Sequence, residues 1–424
     1  MRILFLSHYF PPEVNAPANR THEHCREWAA AGHDVHVITC IPSHPRGVAF
    51  PGYRSGWYHR EVVDGITVHR VWTLLAANSG IPMRVLNYLS FIPTAVWRGL
   101  RLPAFDVIIG TSPQFFCAVA TWLLAAARRT PWVFELRDLW PESIPAVGAM
   151  RANAALRMLE KLELRMYRDA TVVVCLTRSF MANLTARGID PAKLAFVPNG
   201  IDAAFWRTGD RDRGRALLHL QPGEIAAAYV GTVGMAHGLG TVLDAAKALK
   251  GDARIKFFIA GDGAEREPLE RQAAADGIDN VTFTGLIPRR DIPSVLAGLD
   301  IMLVTLKKSD VFKTVLPSKM FEAMAAGKPI ALGVDGEARS TLERAEAGLA
   351  FEPGSAEGLA GVITELADDP GRRAAMGTSG RAFVEREFSR QAWAHEFLRT
   401  LEGIPARVAA AALAAIAPAL KAPK

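Results

Sequence analysis

The sequence has few cysteines, no long apolar run and no block of like charge. Its four cysteines, Cys25, Cys40, Cys117 and Cys175, stand far apart and form no C-x-x-C pair. That argues against a zinc site and against a secreted disulfide scaffold, and predicts small buried residues in a reducing compartment. The longest apolar stretch, Phe115 to Ala127, falls short of the ~20 residues that cross a bilayer. Met1 to Ser7 run directly into a strand pattern, without the charged and cleavable regions of a signal peptide. A cytoplasmic protein is expected. The net charge of +6 is spread along the whole chain. With no basic stripe or arm, a nucleic-acid partner is not expected, and an anionic lipid surface or phosphate-bearing substrates are the better use of the excess.

What is present is core. Half of the 424 residues are apolar and 22% are charged, which suits two folded domains rather than one. Arg2 to Ser7 is a short apolar run, followed by a helical pattern that Gly32 stops and by a second run, Asp34 to Thr39. That order is a βαβ unit, which requires a parallel sheet covered on both faces. Further strands are predicted at Asp106–Gly110, Trp132–Leu136 and Thr171–Cys175. After the Pro198–Asp202 turn a second series follows: Ala226–Val230, Ile255–Ile259, Val281–Thr284, Ile301–Val304 and Pro329–Leu332, with helices over 240–249, 264–276, 290–297 and 317–326. The fold class is therefore α/β, with two Rossmann-like domains in tandem. Residues 1–203 form the first and 204–385 the second. A helix within 386–404 is expected to pack back on the first domain, and 405–424 is an Ala-rich tail.

The most informative segment is Leu316 to Ile330. Pro317 suits a first helical turn, Gly327 suits the position just past the helix, and Pro329 forbids continuation. The exposed N–H groups at such a helix start, with Ser318 and Lys319 beside them, suit a phosphate. Glu322 on the next turn suits two vicinal ribose hydroxyls. On its own, Glu322 reads more readily as a solvated residue of a capped helix. Two glycine-ended strands lead to the same edge of the sheet: Gly231 and Gly234 after one, Gly261 and Gly263 after the next. Glycine lets a backbone approach a pyrophosphate, although tight strand–helix turns need it too. Together the three features predict a nucleotide site at the strand carboxyl ends.

The order NGID, VGTVG, AGDG, VTFTG and FEAMAAGKPI resembles the retaining glycosyltransferases of family 4 over nearly the whole chain. YFPPE, LRDLWPES and PSKMFEAMA resemble its WbuB-like bacterial subgroup, which includes N-acetyl-fucosamine-type and colanic-acid-type transferases. The resemblance implies a GT-B fold, two Rossmann-like domains facing a central cleft, with acceptor bound by the first and nucleotide sugar by the second. It implies an E-x7-E pair near donor sugar and ribose; Glu322 matches the second glutamate, and Thr314 stands at the first. Thr232 and His237 stand where the family carries an Arg and a Lys on the diphosphate. Lys319, with Lys313 or Lys308, is then the expected source of positive charge. Arg137, followed by Asp138, stands where many relatives place a histidine.

The expected reaction moves a sugar, an N-acetylated hexosamine or deoxyhexosamine, from a UDP-sugar to a polyisoprenyl-diphosphate-linked or saccharide acceptor in cell-surface polysaccharide biosynthesis, capsule or O-antigen. The resemblance implies that positioning and stabilisation of the leaving phosphate drive it, and no metal or other cofactor is expected. The alternative is a non-catalytic GT-B scaffold of a polysaccharide assembly complex, motivated by the altered glutamate and clamp. Glu13, Arg137 and Asp138 are the expected groups near the chemistry, with Glu142 a further acid. The start of the first helix, after Pro11 to Pro17, suits an acceptor phosphate or a plain Pro-shaped turn. Trp140-Pro141 suits an acceptor groove or the core. His22 and His24 point to different helix faces and form no metal pair. Arg84 to Arg101 is aromatic, arginine-flanked and free of acids. It reads either as a core helix or as a segment docking on the anionic inner face of the plasma membrane, which makes the protein peripheral there.

Overall fold

In the computed structural model, residues 1–44, 46–76, 81–139 and 153–408 are described. Trp140, Pro141, Glu142 and most of the Ala-rich tail lie outside them. Two compact units divide the chain: residues before 199 together with those after 390 form the first, and 199–390 form the second.

The first unit runs β1 (Arg2–Leu6), α1 (Ala16–Ala30), β2 (Asp34–Cys40), β3 (Tyr58–Val63), β4 (Ile66–Val71), α2 (Ile81–Leu100), β5 (Val107–Thr111), α3 (Phe115–Arg128), β6 (Trp132–Leu136), α4 (Ala154–Asp169), β7 (Val172–Cys175), α5 (Arg178–Ala186) and β8 (Leu194–Phe196). Its sheet has the order β3-β4-β2-β1-β5-β6-β7-β8 and is parallel except for β3 against β4. Continuous apolar runs such as Arg2–Leu6 form central strands because both faces of a parallel sheet are covered. The predicted strands are found within a residue or two at their ends.

The β3–β4 hairpin was not anticipated. Five of the six β3 residues are polar or exposed, so no alternation shows, yet Asp64-Gly65 supplies its turn with φ of 49° and 81°. Two positive φ values are what a two-residue hairpin loop demands. The strand β8 and the later strand β14 (Gly348–Ala350) also went unread; each is three residues long, too short for a period to register.

The second unit runs α6 (Ala203–Trp206), α7 (Arg211–Leu217), β9 (Ile225–Val230), α8 (Gly240–Ala248), β10 (Ile255–Ala260), α9 (Arg266–Ala275), β11 (Val281–Gly285), α10 (Ile292–Gly298), β12 (Ile301–Thr305), α11 (Ser318–Ala325), β13 (Ile330–Gly333), α12 (Glu337–Ala345), β14 (Gly348–Ala350), α13 (Ala356–Asp368) and α14 (Pro370–Glu387). Its all-parallel sheet has the order β11-β10-β9-β12-β13-β14. Helix α11 is shorter than the predicted 317–326: Pro317 is its N-cap, with Ser318 the first helical residue. Gly327, at φ +69°, ends it as expected.

The last helix, α15 (Arg390–Glu402), packs on the first unit. Phe397, Leu401 and Ile404 enter the same core as Ile3, Trp28 and Val107, and Trp28 Nε1 donates to Ala394 O at 2.9 Å. All four cysteines are buried and unpaired, as expected.

Helix α2 has two apolar faces. Its inner stripe, Phe91 and Ala95, is buried, and Gly99 has no room for a side chain because a Cβ there would strike Leu124 on α3. Its outer stripe leaves Met83, Leu86, Trp97 and Leu100 exposed, with Leu89 beside it. Arg98 lies over the Tyr58 ring at 3.7 Å and donates to its hydroxyl at 2.6 Å; Arg101 covers Trp97 at 3.1 Å. The segment is thus core on one side and open on the other. Among the described residues no helix is long and apolar enough to cross a membrane.

Candidate functional site

In the second sheet β9 lies between β10 and β12, so the chain steps to one side after β9 and later returns on the other. Open α/β sheets bind ligands at such a reversal, outside the carboxyl ends of the strands. The turn after β9 is tied down on both flanks. Gly231 N donates to Ala260 O at 2.8 Å and Val233 N to Asp262 O at 2.9 Å on the β10 side. Thr305 Oγ1 donates to His237 O at 2.7 Å on the β12 side.

The four glycines there are not equivalent. A Cβ on Gly261 would collide with the carbonyl of Gly231, and one on Gly263 with the carbonyl of Val233. Both have positive φ, 139° and 157°. These two are demanded by the packing of one turn on another, which is the second of the two readings their spacing allowed. Gly231, at φ +142°, sits against the Lys319 side chain. Gly234 meets no atom closer than Thr232 Cγ2 at 3.7 Å, so its backbone is open to a neighbour.

Helix α11 buries Met320, Phe321, Ala323 and Met324. Those positions leave Ser318 exposed, and Lys319 and Glu322 half-buried, with the last two three residues apart on one face. No side chain caps the helix start, and Met320 N turns back to Pro317 O at 3.0 Å, so among the described residues the N–H groups of Ser318 and Lys319 remain available. Lys319 Nζ lies 4.9 Å above the Tyr229 ring, and among the described residues no hydrogen bond or ion pair holds it. Burial pulls its pKa down to about 8, against the field of Glu322. Burial raises the Glu322 carboxyl above its ordinary value, opposed by the positive fields of Lys319, Arg390 and Arg289. Among the described residues no hydrogen bond engages either the half-buried ammonium or the half-buried carboxylate, which feel each other only as charges, and such groups are costly unless a ligand meets them.

The other predicted cations are placed differently. Lys313 is exposed and paired with Asp310 at 2.7 Å, and Lys308 with Glu352 at 2.6 Å. Neither is held ready as Lys319 is. Thr314, at the expected first-glutamate position, turns its hydroxyl to Val311 O. His237 is pushed down to about 3, first by burial and then by Lys319, so it brings no charge. Arg289, whose charge reaches Glu322, was missed; its position just past β11, on the same sheet edge, was the available signal.

The first unit presents a second group of residues. Glu13 is buried, and its Oε1 accepts the N–H groups of Ser43 and His44 at 2.9 Å each; burial raises its pKa. It lines a pocket with His8, Tyr9, His44, Asn87 and Tyr88, four of which sequence reasoning did not single out. Arg137 and Asp138 follow β6 and do not line that pocket. Arg137 NH1 donates to Pro17 O at 3.4 Å, while its backbone N–H meets Ser112 Oγ at 2.8 Å. Burial lowers its pKa to about 10, with Glu135 opposing. The structure therefore separates the three residues expected near the chemistry into two places. His22 faces Asp64 and His24 stacks on Trp28, so they form no pair. Among the described residues no group of three His, Cys, Asp or Glu side chains could hold a metal ion.

Comparison with known proteins agrees with this layout. Residues 15–200 match the family described as "Glycosyl transferase 4-like domain", and residues 210–383 match "Glycosyl transferases group 1". The chain is 26% identical over 414 residues to an Escherichia coli K12 protein named for colanic acid biosynthesis, the glycosyl transferase WcaI, covering 95% of this chain and all of that one. Among solved structures it resembles sucrose-phosphate synthase from Thermosynechococcus elongatus, with a TM-score of 0.75 at 19% identity, covering 96% and 99% of the two chains. It also resembles Anabaena HepE, solved with UDP, with a TM-score of 0.70 at 17% identity, covering 95% and 100%. At such identities the structural likeness carries the fold, and the fold is GT-B.

Proposed function

The chain belongs to the glycosyltransferases in which a glycosyl transferase 4-like domain precedes a group 1 domain, and from that premise we propose that it moves a sugar from a UDP-sugar to a lipid-linked or saccharide acceptor, with retention of configuration, in cell-surface polysaccharide biosynthesis. The observation that carries the donor half is the pairing of Lys319 and Glu322 at the uncapped start of α11. Lys319 and the free N–H groups would take the diphosphate, and Glu322 the ribose hydroxyls. Gly231 and Gly234 would let the backbone come close. UDP bound to a structural relative, and colanic acid in the name of a sequence relative, support this reading.

In this reading the leaving diphosphate is the charge that grows during reaction. A fixed ammonium and oriented backbone dipoles stabilise it without reorganisation. Lys319 supplies a full positive charge where Thr232 and His237 supply none, so no metal ion is required by charge alone. On the first unit, Arg137 and Asp138 are the groups proposed nearest the acceptor. The outer stripe of α2, with arginines at both ends and no acid from 81 to 101, would dock on the anionic inner face of the plasma membrane.

Turnover tests the proposal. Purified protein given UDP-N-acetylhexosamines, with membranes carrying polyisoprenyl-linked acceptors, should release UDP in excess chelator. Abolition by EDTA with rescue by Mg²⁺ or Mn²⁺ would overturn the metal-free reading. Release of GDP from GDP-sugars alone would overturn the uridine assignment.

A further inference from the structure

Arg137 is the loosely held member of a buried charge cluster. Glu135, on β6, is fully buried, and Arg20, on α1, is nearly so. Arg20 Nε donates to Glu135 Oε1 at 2.8 Å, and its two terminal nitrogens donate to Pro198 O and Val197 O at 2.8 and 2.9 Å. Every nitrogen of Arg20 is thereby engaged, and the guanidinium ties β6 to the segment that follows β8. Burial pushes the Glu135 carboxyl up, but the fields of Arg20 and then Arg137 outweigh it and hold the group below the ordinary carboxylate range. A carboxylate therefore stays ionised in the interior, and its Oε2 has no hydrogen-bond partner among the described residues.

Arg137 stands two residues further on, just past the end of β6, and both side chains leave the chain toward α1. Its hold is slight. One N–H reaches Pro17 O at 3.4 Å, and its buried Nε has no partner among the described residues. Burial works against the charge of this guanidinium; Glu135 is the strongest field that supports it, Arg20 opposes, and Glu23 on α1 adds support.

Two guanidiniums around one buried carboxylate exceed what the fold requires. A buried ion pair gains little over apolar packing of the same volume, because desolvation offsets its attraction. Arg20 alone neutralises Glu135. The second arginine has its charge upheld by Glu135 while most of its donors stay unspent among the described residues, which suits a guanidinium that meets a reactant. We propose that Glu135 is the positioning residue for Arg137: it fixes where that guanidinium points and upholds its charge without touching a reactant itself, and Arg20 anchors Glu135 in turn. The proposal rests on the reading that Arg137 works beside the acceptor.

Kinetics and NMR on the full chain test it together. UDP release from UDP-N-acetylhexosamines is followed with membranes carrying polyisoprenyl-linked acceptors. Glu135→Gln should lower kcat by roughly 10- to 100-fold, with KM for the donor and the rise in Tm given by UDP unchanged. In an Arg137→Lys background Glu135→Gln should cost little more, because the group it positions is already gone. In arginine-labelled NMR spectra the Arg137 Nε signal, assigned by its loss in Arg137→Lys, should be ordered in the parent and mobile in Glu135→Gln. Arg20→Met with Glu135→Met should show the same losses; apolar packing often replaces a buried pair without loss of stability, so this pair serves where Glu135→Gln does not fold. A folded variant with parental kcat and an unmoved Arg137 signal, or losses that multiply in the double variant, would overturn the positioning role. The NMR arm decides it even where none of these donors turns over. An Arg137→Lys protein as active as the parent would remove instead the acceptor-side reading beneath it.

Discussion

The carboxyl edges of the two sheets are built on different plans. In the second unit the candidate site is local: two glycine turns and one helix start, with Lys319 and Glu322 three residues apart. In the first unit the pocket is assembled from residues 8–13, 40–44 and 84–88, brought together only by the order of β1, β2 and α2. A site written in one helix can be read before folding is known. A site written across a sheet cannot.

The same contrast appears between residues of one type within the second unit. Lys319 and Lys328 are both half-buried, and burial pulls both down to about 8. Lys328 donates to Ala297 O and Leu299 O, at 2.5 and 2.8 Å. Lys319 has a ring beneath it and, among the described residues, no acceptor. A lowered pKa therefore does not mark function; an unmet donor at a ligand-accessible edge does.

These pairs can be broken experimentally, and the glycines should give the largest effects. Gly261→Ala places a methyl group on the Gly231 carbonyl at a φ that disfavours side chains, and should cost about 3 kcal/mol of stability. Gly234→Ala has room, so its stability should change by less than about 0.5 kcal/mol while UDP binding weakens. Urea melts of both, with UDP titrations of the second, check this. Unchanged UDP affinity in Gly234→Ala would take that turn away from the phosphates.

The lysines come next. Lys319→Ala should weaken UDP by roughly 10- to 100-fold, from the loss of a charge-assisted bond worth about 1.5–3 kcal/mol, and uridine hardly at all. Lys328→Met should do the reverse, lowering stability by about 1–3 kcal/mol as two carbonyls lose their donor, with UDP affinity unchanged. Calorimetric titration and thermal melts separate the two cases.

A smaller effect follows from pH. Below about 8 the Lys319 side chain carries its proton in the free protein, and that is the form a diphosphate binds. UDP affinity should therefore hold from pH 6.5 to 7.5 and fall by up to about tenfold per unit above 8. Lys319→Ala should flatten that slope. A slope that survives the substitution belongs to another group.

How much was legible follows from the same physics. The buried parallel strands, the helix over 318–325 and its terminating Gly327 were readable, because each is fixed by neighbours in sequence. Gly261 and Gly263 were read as ligand-facing because a turn that needs glycine for packing looks like one that needs it for phosphate. Lys313 was grouped with Lys319 by proximity, and its exposure and its pairing with Asp310 separate them. His8 carried no local signal at all, and Asn87 and Tyr88 lay in a segment read for membrane or core and not for a pocket. The two faces of α2 left the Arg84–Arg101 segment open to both readings, and the structure accommodates both: Gly99 seats it against Leu124 while Trp97 stays exposed.

The central claim is that the start of α11 holds the nucleotide of the donor, and Glu322→Gln tests it most directly. This substitution keeps the shape and removes the charge of a carboxyl that holds no hydrogen bond among the described residues. Calorimetric titration of UDP and uridine into parent and variant should show both ligands weakened by about 10-fold or more, since both carry the ribose, with the melting temperature of the unliganded protein not lowered. UDP and uridine binding to the variant as tightly as to the parent would contradict the assignment.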